Sequence, residues 1–260
     1  MSNPRPESVT TGLARLGFDD PRRALALLDD AALHSVIDNR ESIETDGLAR
    51  ALADTADPDQ ALLGVVRLME SVCRVATSPE RARLEEVLRS DDDPRRRLVG
   101  LLGASSALTD HLVAHPDQLT AVLDASHVDL DQRVQRLTDP VLAAASHGGD
   151  LEPEDVLRLE YRRQLLAIAA LDVETIHPTD AFPRTAAALA DLAQAALSAA
   201  HDLACHRLGE RARAARLAVI AMGKTGGREL NYISDVDVIF ACEPGEGVDE
   251  TEAMAVGTEI

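Results

Sequence analysis

The sequence predicts an α+β fold: a long run of helices through about residue 210, then a strand–turn–strand unit. Three observations carry this. First, apolar residues in the long N-terminal part recur at helical spacing, and helix starts are marked repeatedly by Asp or Ser before Pro. Second, aromatic residues make up only 2% of the chain and Trp is absent, so the core must come from Leu, Ala, Val and Ile. That composition suits helices with small-residue interfaces. Third, two short apolar runs, Leu217–Met222 and Asp235–Cys242, flank a Gly-rich turn.

The helices can be taken in order. Asp20-Pro21, Asp57-Pro58, Ser78-Pro79 and Asp93-Pro94 pair a capping side chain with a Pro at the first helical position, where the missing N–H forfeits nothing. Over Gln60–Val75, Leu62, Val65, Val66, Met69, Val72 and Cys73 form one buried stripe. Arg95–Leu102 and Ser106–His115 read as two helices joined by a turn, and Pro116-Asp117 starts another towards Leu123. No fixed-period repeat accompanies these caps, so a solenoid is not expected.

Residues 125–152 read as looser, with Asp139-Pro140 and Gly148-Gly149 as breaks. The expected division is therefore a helical region over 1–150 and a second region over 151–260. A helix opens at Pro153-Glu154-Asp155 and runs to about Asp172. Its Arg158, Arg162 and Arg163 suit either a phosphate or, better, solvated pairs with Glu154 and Glu160. His177-Pro178 and Phe182-Pro183 read as a connection, and Thr185–Gly209 as an Ala-rich helix. After the second strand, residues 243–247 form a turn and Asp249–Ile260 starts a helix.

The chain has 260 residues, enough for one or two domains with a large core. Its net charge is −19, from 45 acidic and 26 basic residues. So acidic a surface argues against nucleic acid as a partner and against an anionic membrane, both of which need a positive footprint. Cys73, Cys205 and Cys242 are odd in number and far apart, so neither a disulfide framework nor a CxxC metal site is expected. His201, Cys205 and His206 share a helical stretch but lack further ligands, and read as ordinary helix positions. The N-terminus has no apolar signal region and no run is long enough to span a bilayer, which leaves the cytoplasm as the default.

The chemistry concentrates in Arg216–Cys242. Gly223, Gly226 and Gly227 allow a turn whose backbone amides can approach a phosphate. Arg228–Ser234 is long enough for about two helical turns. On a strand, Asp235 and Asp237 would share a face with Cα atoms roughly 6–7 Å apart, close enough to share divalent metal ions. This is a nucleotidyl-transfer layout. The stretch also holds Lys224, the only lysine, together with Tyr232, one of two tyrosines, and Asn231, one of three asparagines. Such clustering suggests specific side-chain requirements there.

The order strand, Gly-Gly, short helix, Asp-x-Asp resembles the nucleotidyltransferase superfamily that includes DNA polymerase β-like enzymes. The string GKTGGRELNYISDVDVIF (223–240) more specifically resembles the signature of the bifunctional glutamine-synthetase adenylyltransferase/adenylyl-removing enzymes. Residues 103–123 and 157–172 are similar to that family's N-terminal region, so the resemblance covers nearly the whole chain. It implies that the strands open a polymerase-β-like mixed sheet and that the chain is a fragment, because the further strands of such a sheet are missing. A third metal-binding carboxylate would come from a later strand, and nothing in residues 243–260 has that context. Thr225 departs from the signature, where an apolar residue is expected.

Family members carry two catalytic units: the first removes AMP from a glutamine synthetase tyrosine by phosphorolysis, the second attaches AMP from ATP. The position of this unit after a Met-initiated helical region implies the first. Asp235 and Asp237 would then hold Mg²⁺, and Gly226 and Gly227 would let backbone amides contact phosphate. Lys224 fits a point charge on the same group or a side chain snorkelling from a strand end. Ser234 and Asn231 fit either phosphate contact and orientation of the aspartates or local turn capping. The implied partners are glutamine synthetase, ATP or ADP, phosphate and a PII-type signalling protein. Two other readings stand beside this one: an ATP-using adenylyltransferase, and a helical protein-binding module with a degenerate site.

Overall fold

A computed structural model describes residues 6–37, 40–74, 78–90, 92–175 and 177–260. The capping logic holds at the level of single bonds. Asp20, Asp57 and Ser78 each accept a hydrogen bond from an amide three residues on, at 3.0, 2.8 and 3.2 Å. At Asp93-Pro94 the cap falls one residue earlier, on Asp92, which accepts from the Arg95 amide.

The helices of this part are α1 (Pro6–Arg15), α2 (Pro21–Leu28), α3 (Gly47–Ala53), α4 (Pro58–Cys73), α5 (Pro79–Arg89), α6 (Asp93–Ala104), α7 (Ser106–Ala114) and α8 (Leu119–Leu123). The chain forms two compact units. The first comprises residues 1–126 with 169–176, the second 127–168 with 177–260. In the first, α4 is central. Leu62, Val65, Val66, Leu68, Met69 and Val72 are buried along it, Cys73 at the end of the predicted stripe is half-buried, and Val75, where the predicted stretch ends, lies outside the described residues. The α4 helix packs on α6 and α7. Gln60 Nε2 donates to the Leu102 carbonyl at 2.9 Å and Ser71 Oγ to the Val113 carbonyl at 2.7 Å. A Cβ at Gly64 would stand 3.1 Å from Leu102 Cβ, so the absence of a side chain there sets the close approach of the two helices.

In the second unit two stretches differ from expectation. Within the supposedly loose residues 125–152 lies α9 (Leu130–His147), capped by Asp129 and stopped at Gly148 with φ +68°. Its Pro140 removes one backbone bond, yet burial of Arg133, Leu137 and Val141 on one face holds the helix through it. The helix α10 (Pro153–Val173) follows as predicted. The expected connection at 177–183 is instead the start of α11 (Pro178–Leu208), 31 residues long. Pro178 occupies its first turn, where Pro is tolerated, and Pro183 forfeits only one bond near that end. Leu137, Ile168, Leu189, Leu192 and Ala195 form the core of this unit, with α9 lying along α11.

The strands are β1 (Ala215–Ala221) and β2 (Val238–Pro244), paired antiparallel from Ala215 opposite Pro244 to Ala221 opposite Val238. Between them stands one helical turn, α12 (Gly223–Gly226), and after them α13 (Glu250–Glu259), capped by Asp249. The chain is thus α+β. The first apolar run is a strand, but not the buried one expected: Val219 and Ile220 are exposed, as are Phe240 and Ile239 opposite them on β2. In the described residues β1 and β2 pair only with each other, and α13 covers part of the ribbon. No helix among the described residues is long and apolar enough to cross a membrane.

Candidate active site

The site is built where β1 runs out. Met222 N–H donates to the Asp237 carbonyl at 2.9 Å, one bond beyond the regular ladder. At Gly223, with φ +53°, the chain leaves the ribbon and winds into α12. The opposing strand loses its partner at that point. Asp235 and Val236 therefore precede the ladder, and both aspartates lie in the irregular segment leading into β2 rather than inside a strand starting at Asp235.

The helical turn is likewise earlier than predicted. It falls on Gly223–Gly226, and residues 228–234 form turns instead of two helical turns. The reason is close packing. A Cβ at Gly226 would sit 2.4 Å from the Ala221 carbonyl oxygen, so α12 can fold back against the end of β1 only where residue 226 has no side chain. The amides of Gly226 and Gly227 donate to the Met222 and Gly223 carbonyls at 2.9 and 3.0 Å. Both N–H groups are spent inside the turn. The first N–H groups of a helical turn have no intrahelical acceptor, and here those belong to Gly223, Lys224 and Thr225.

Asp237 faces this turn: its Oδ2 lies 3.3 Å from where a Cβ on Gly223 would stand. Asp235, Asp237 and Lys224 are exposed. Exposed carboxylates offer hard oxygen donors with room for water, the donor set that Mg²⁺ takes. Among the described residues no group of three or more His, Cys, Asp or Glu could hold a metal ion, so the two aspartates are not supplemented by a third ligand. Asn231 and Ser234 close a local turn. Ser234 Oγ donates to Asn231 Oδ1 at 2.7 Å and the Ile233 amide to the same oxygen at 3.1 Å. Their side chains thereby shape the loop that delivers Asp235.

Two residues that pattern reasoning did not single out tether this loop. Leu230 is 4% exposed and packs into the helical core of the second unit. Arg228 places its guanidinium on Asp191 of α11, at 2.5 Å to Oδ1 and 3.0 Å to Oδ2. Residues 228–234 read as a short helix, so no local pattern marked Arg228; its place at a helix stop, with positive φ, emerges only in the fold.

Thr225, the departure from the signature, is 6% exposed and its hydroxyl has no hydrogen-bond partner among the described residues. It borders a cavity of about 570 Å³ between α11 and one face of β1, lined also by Gln194, His201, Leu217, Val219 and Arg228. An unpaired buried hydroxyl costs about 1–3 kcal/mol, whereas an isosteric apolar group does not. Thr225→Val is therefore expected to raise stability by about 1 kcal/mol, read as an increase in the midpoint of chemical denaturation.

The remaining candidates behave as surface and core groups. Arg158 pairs with Asp155 at 2.6 Å and Arg163 with Glu160 at 3.5 Å, while Glu154 is held by Arg207 at 2.6 and 3.0 Å. These exposed pairs contribute little individually. His201 lies 3.6 Å from the Cys205 sulfur, and burial, with the nearby Asp202 charge, pushes the Cys205 thiol up, away from a reactive thiolate.

Comparison with known proteins places the chain in a family. The chain matches the family model for glutamate-ammonia ligase adenylyltransferase over residues 95–259. It is 44% identical over 259 residues to a bifunctional glutamine synthetase adenylyltransferase/adenylyl-removing enzyme of Streptomyces avermitilis, covering 98% of this chain and 24% of the relative. The protein of the same description from Streptomyces coelicolor is 42% identical over 271 residues (100% and 24%), and that from Nocardia farcinica 38% over 275 residues (98% and 26%). The chain thus spans about a quarter of the length of these relatives. No solved structure matches it. With the family model covering well over half of its length, including the entire glycine turn and both aspartates, the chain belongs to the glutamate-ammonia ligase adenylyltransferase family.

Proposed function

We propose that this chain is part of an enzyme that controls glutamine synthetase by reversible adenylylation, and that its own unit removes the AMP. The observation that carries the proposal is the approach of the Asp237 carboxylate to the turn at Gly223, within a chain whose relatives are described as adenylyltransferase/adenylyl-removing enzymes. Asp235 and Asp237 would hold Mg²⁺, which when bound would neutralise charge on the phosphodiester. The leading amides of α12 and the Lys224 ammonium would face the phosphate oxygens. Phosphate oxygen then forms the new bond to phosphorus, the bond to the tyrosine oxygen breaks, and the phenolate takes up a proton. The products are ADP and free tyrosine.

Attachment of AMP from ATP needs the same groups, so direction is decided by the reactants the site admits. The similarity of residues 103–123 and 157–172 to the family's N-terminal region supports the removing direction. A PII-type regulator and a cytoplasmic location complete the proposal. The test is Asp235→Asn in the full-length enzyme. Phosphate-dependent release of ADP from adenylylated glutamine synthetase should fall by about 10³-fold, with ATP-dependent attachment retained. Unchanged ADP release would refute the proposal, and loss of attachment alone would assign this unit to the opposite direction.

A further inference from the structure

Arg228 sits between the two halves of the candidate site. With φ +58°, it is the one non-glycine residue in the left-handed region among the described residues. Glu229 N–H donates to the Lys224 carbonyl at 2.8 Å and Arg228 N–H to the Thr225 carbonyl at 3.2 Å. This bond pair is a Schellman stop of α12, with Arg228 at the position that glycine usually takes. A residue with a Cβ enters that conformation only at a cost.

The side chain supplies what glycine cannot. Its guanidinium forms two bonds to Asp191, whose side chain is 12% exposed while the Arg228 side chain is 52% exposed. Asp191 lies on α11 between Ala190 and Leu192, both core residues, so it is a fixed anchor. It also interacts electrostatically with Arg133 of α9, itself only 4% exposed. A fork of two parallel bonds fixes orientation, where the neighbouring apolar tether at Leu230 fixes only depth. The anchored residue lies five positions after Gly223 and nine before Asp237, the two positions that come together at the turn.

We propose that Arg228 and Asp191 form a positioning pair, which locks the stretch from Gly223 to Asp237 onto α11 so that the carboxylates meet the glycine turn in a fixed register. This rests on the reading of Asp235 and Asp237 as the metal-holding residues. The competing role is plain stabilisation of the fold by an ion pair, and Arg228→Gly separates the two. Glycine relieves the left-handed backbone but removes the anchor.

In the full-length chain, Arg228→Gly is expected to leave the melting temperature close to wild type. The rate constant kcat for phosphate-dependent ADP release should fall at least about tenfold, with KM for adenylylated glutamine synthetase little changed. Amide hydrogen exchange over residues 226–237 should accelerate by about the same factor, with α11 unaffected. Asp191→Asn should reproduce both effects, and Arg228→Lys, which keeps charge but not the fork, should fall between. Wild-type kcat and exchange in folded Arg228→Gly and Asp191→Asn proteins would overturn the proposal. If the wild type itself released no ADP, the functional reading would fail, while the exchange comparison would still decide whether the lock exists.

Discussion

Asp237→Asn in the full-length enzyme is expected to lower phosphate-dependent ADP release by about 10³-fold while the fold stays intact. The expectation has two parts. The structural role of residue 237 is carried by its backbone carbonyl, which accepts from the Met222 amide at 2.9 Å, and Asn preserves that bond. The carboxylate itself is exposed, so an isosteric amide leaves no buried group unpaired. What changes is charge. Beside the turn at Gly223 the variant offers one anionic ligand instead of two, and an amide oxygen is a weaker ligand for a hard divalent cation. Several kcal/mol of transition-state stabilisation through such an ion corresponds to roughly three powers of ten in rate. The measurement is initial rate against Mg²⁺ concentration, with circular dichroism as the check on folding. A rate within a few-fold of wild type at saturating Mg²⁺ would remove Asp237 from the metal site.

Gly226→Ala is expected to damage stability and activity together. The new Cβ would lie 2.4 Å from the Ala221 carbonyl oxygen and 2.9 Å from its carbon. These are backbone atoms of β1, so no rotamer change relieves the overlap, and either α12 lifts away or the strand end shifts. Overpacking of this kind costs about 1–3 kcal/mol. Lifting α12 also stretches the bond from Gly226 N–H to the Met222 carbonyl and moves Gly223 away from Asp237. A displacement near 1 Å can cost about 10²-fold in rate. The neighbouring Gly227→Ala is the control: its Cβ would meet the Gly223 carbonyl oxygen at 3.3 Å, a contact a small shift can absorb. Denaturation midpoints and kcat for both variants decide the matter. A Gly226→Ala protein as stable as wild type but inactive would return the glycine to a role in direct phosphate approach.

Much of this architecture is local, and local features are what a sequence displays. Asp57 and Ser78 cap the helices that their Pro neighbours announce, and the α4 stripe from Leu62 to Val72 is buried as its spacing requires. Both apolar runs flanking the glycines become strands, and the family resemblance read from residues 223–240 holds. The misplacements arise where one local rule met a stronger tertiary one. Pro140 and Pro183 read as breaks, yet each loses a single bond inside a helix held by burial on its other face. The glycines read as a loop open to phosphate, but Gly226 is required for packing against β1, and the amides of Gly226 and Gly227 are both consumed in the turn.

By itself the sequence determined the α+β class, most helix boundaries and the candidate residues Lys224, Asn231, Ser234, Asp235 and Asp237, because caps, periodicity and motif spacing act over a few residues. Only the tertiary structure decided where the strand begins, that Asp237 faces Gly223, and that Arg228 reaches back to Asp191, 37 residues earlier. The physical reason is range. A ladder ends where its partner turns away, and an ion pair forms where two distant elements meet. Neither condition is written into the residues on one side alone.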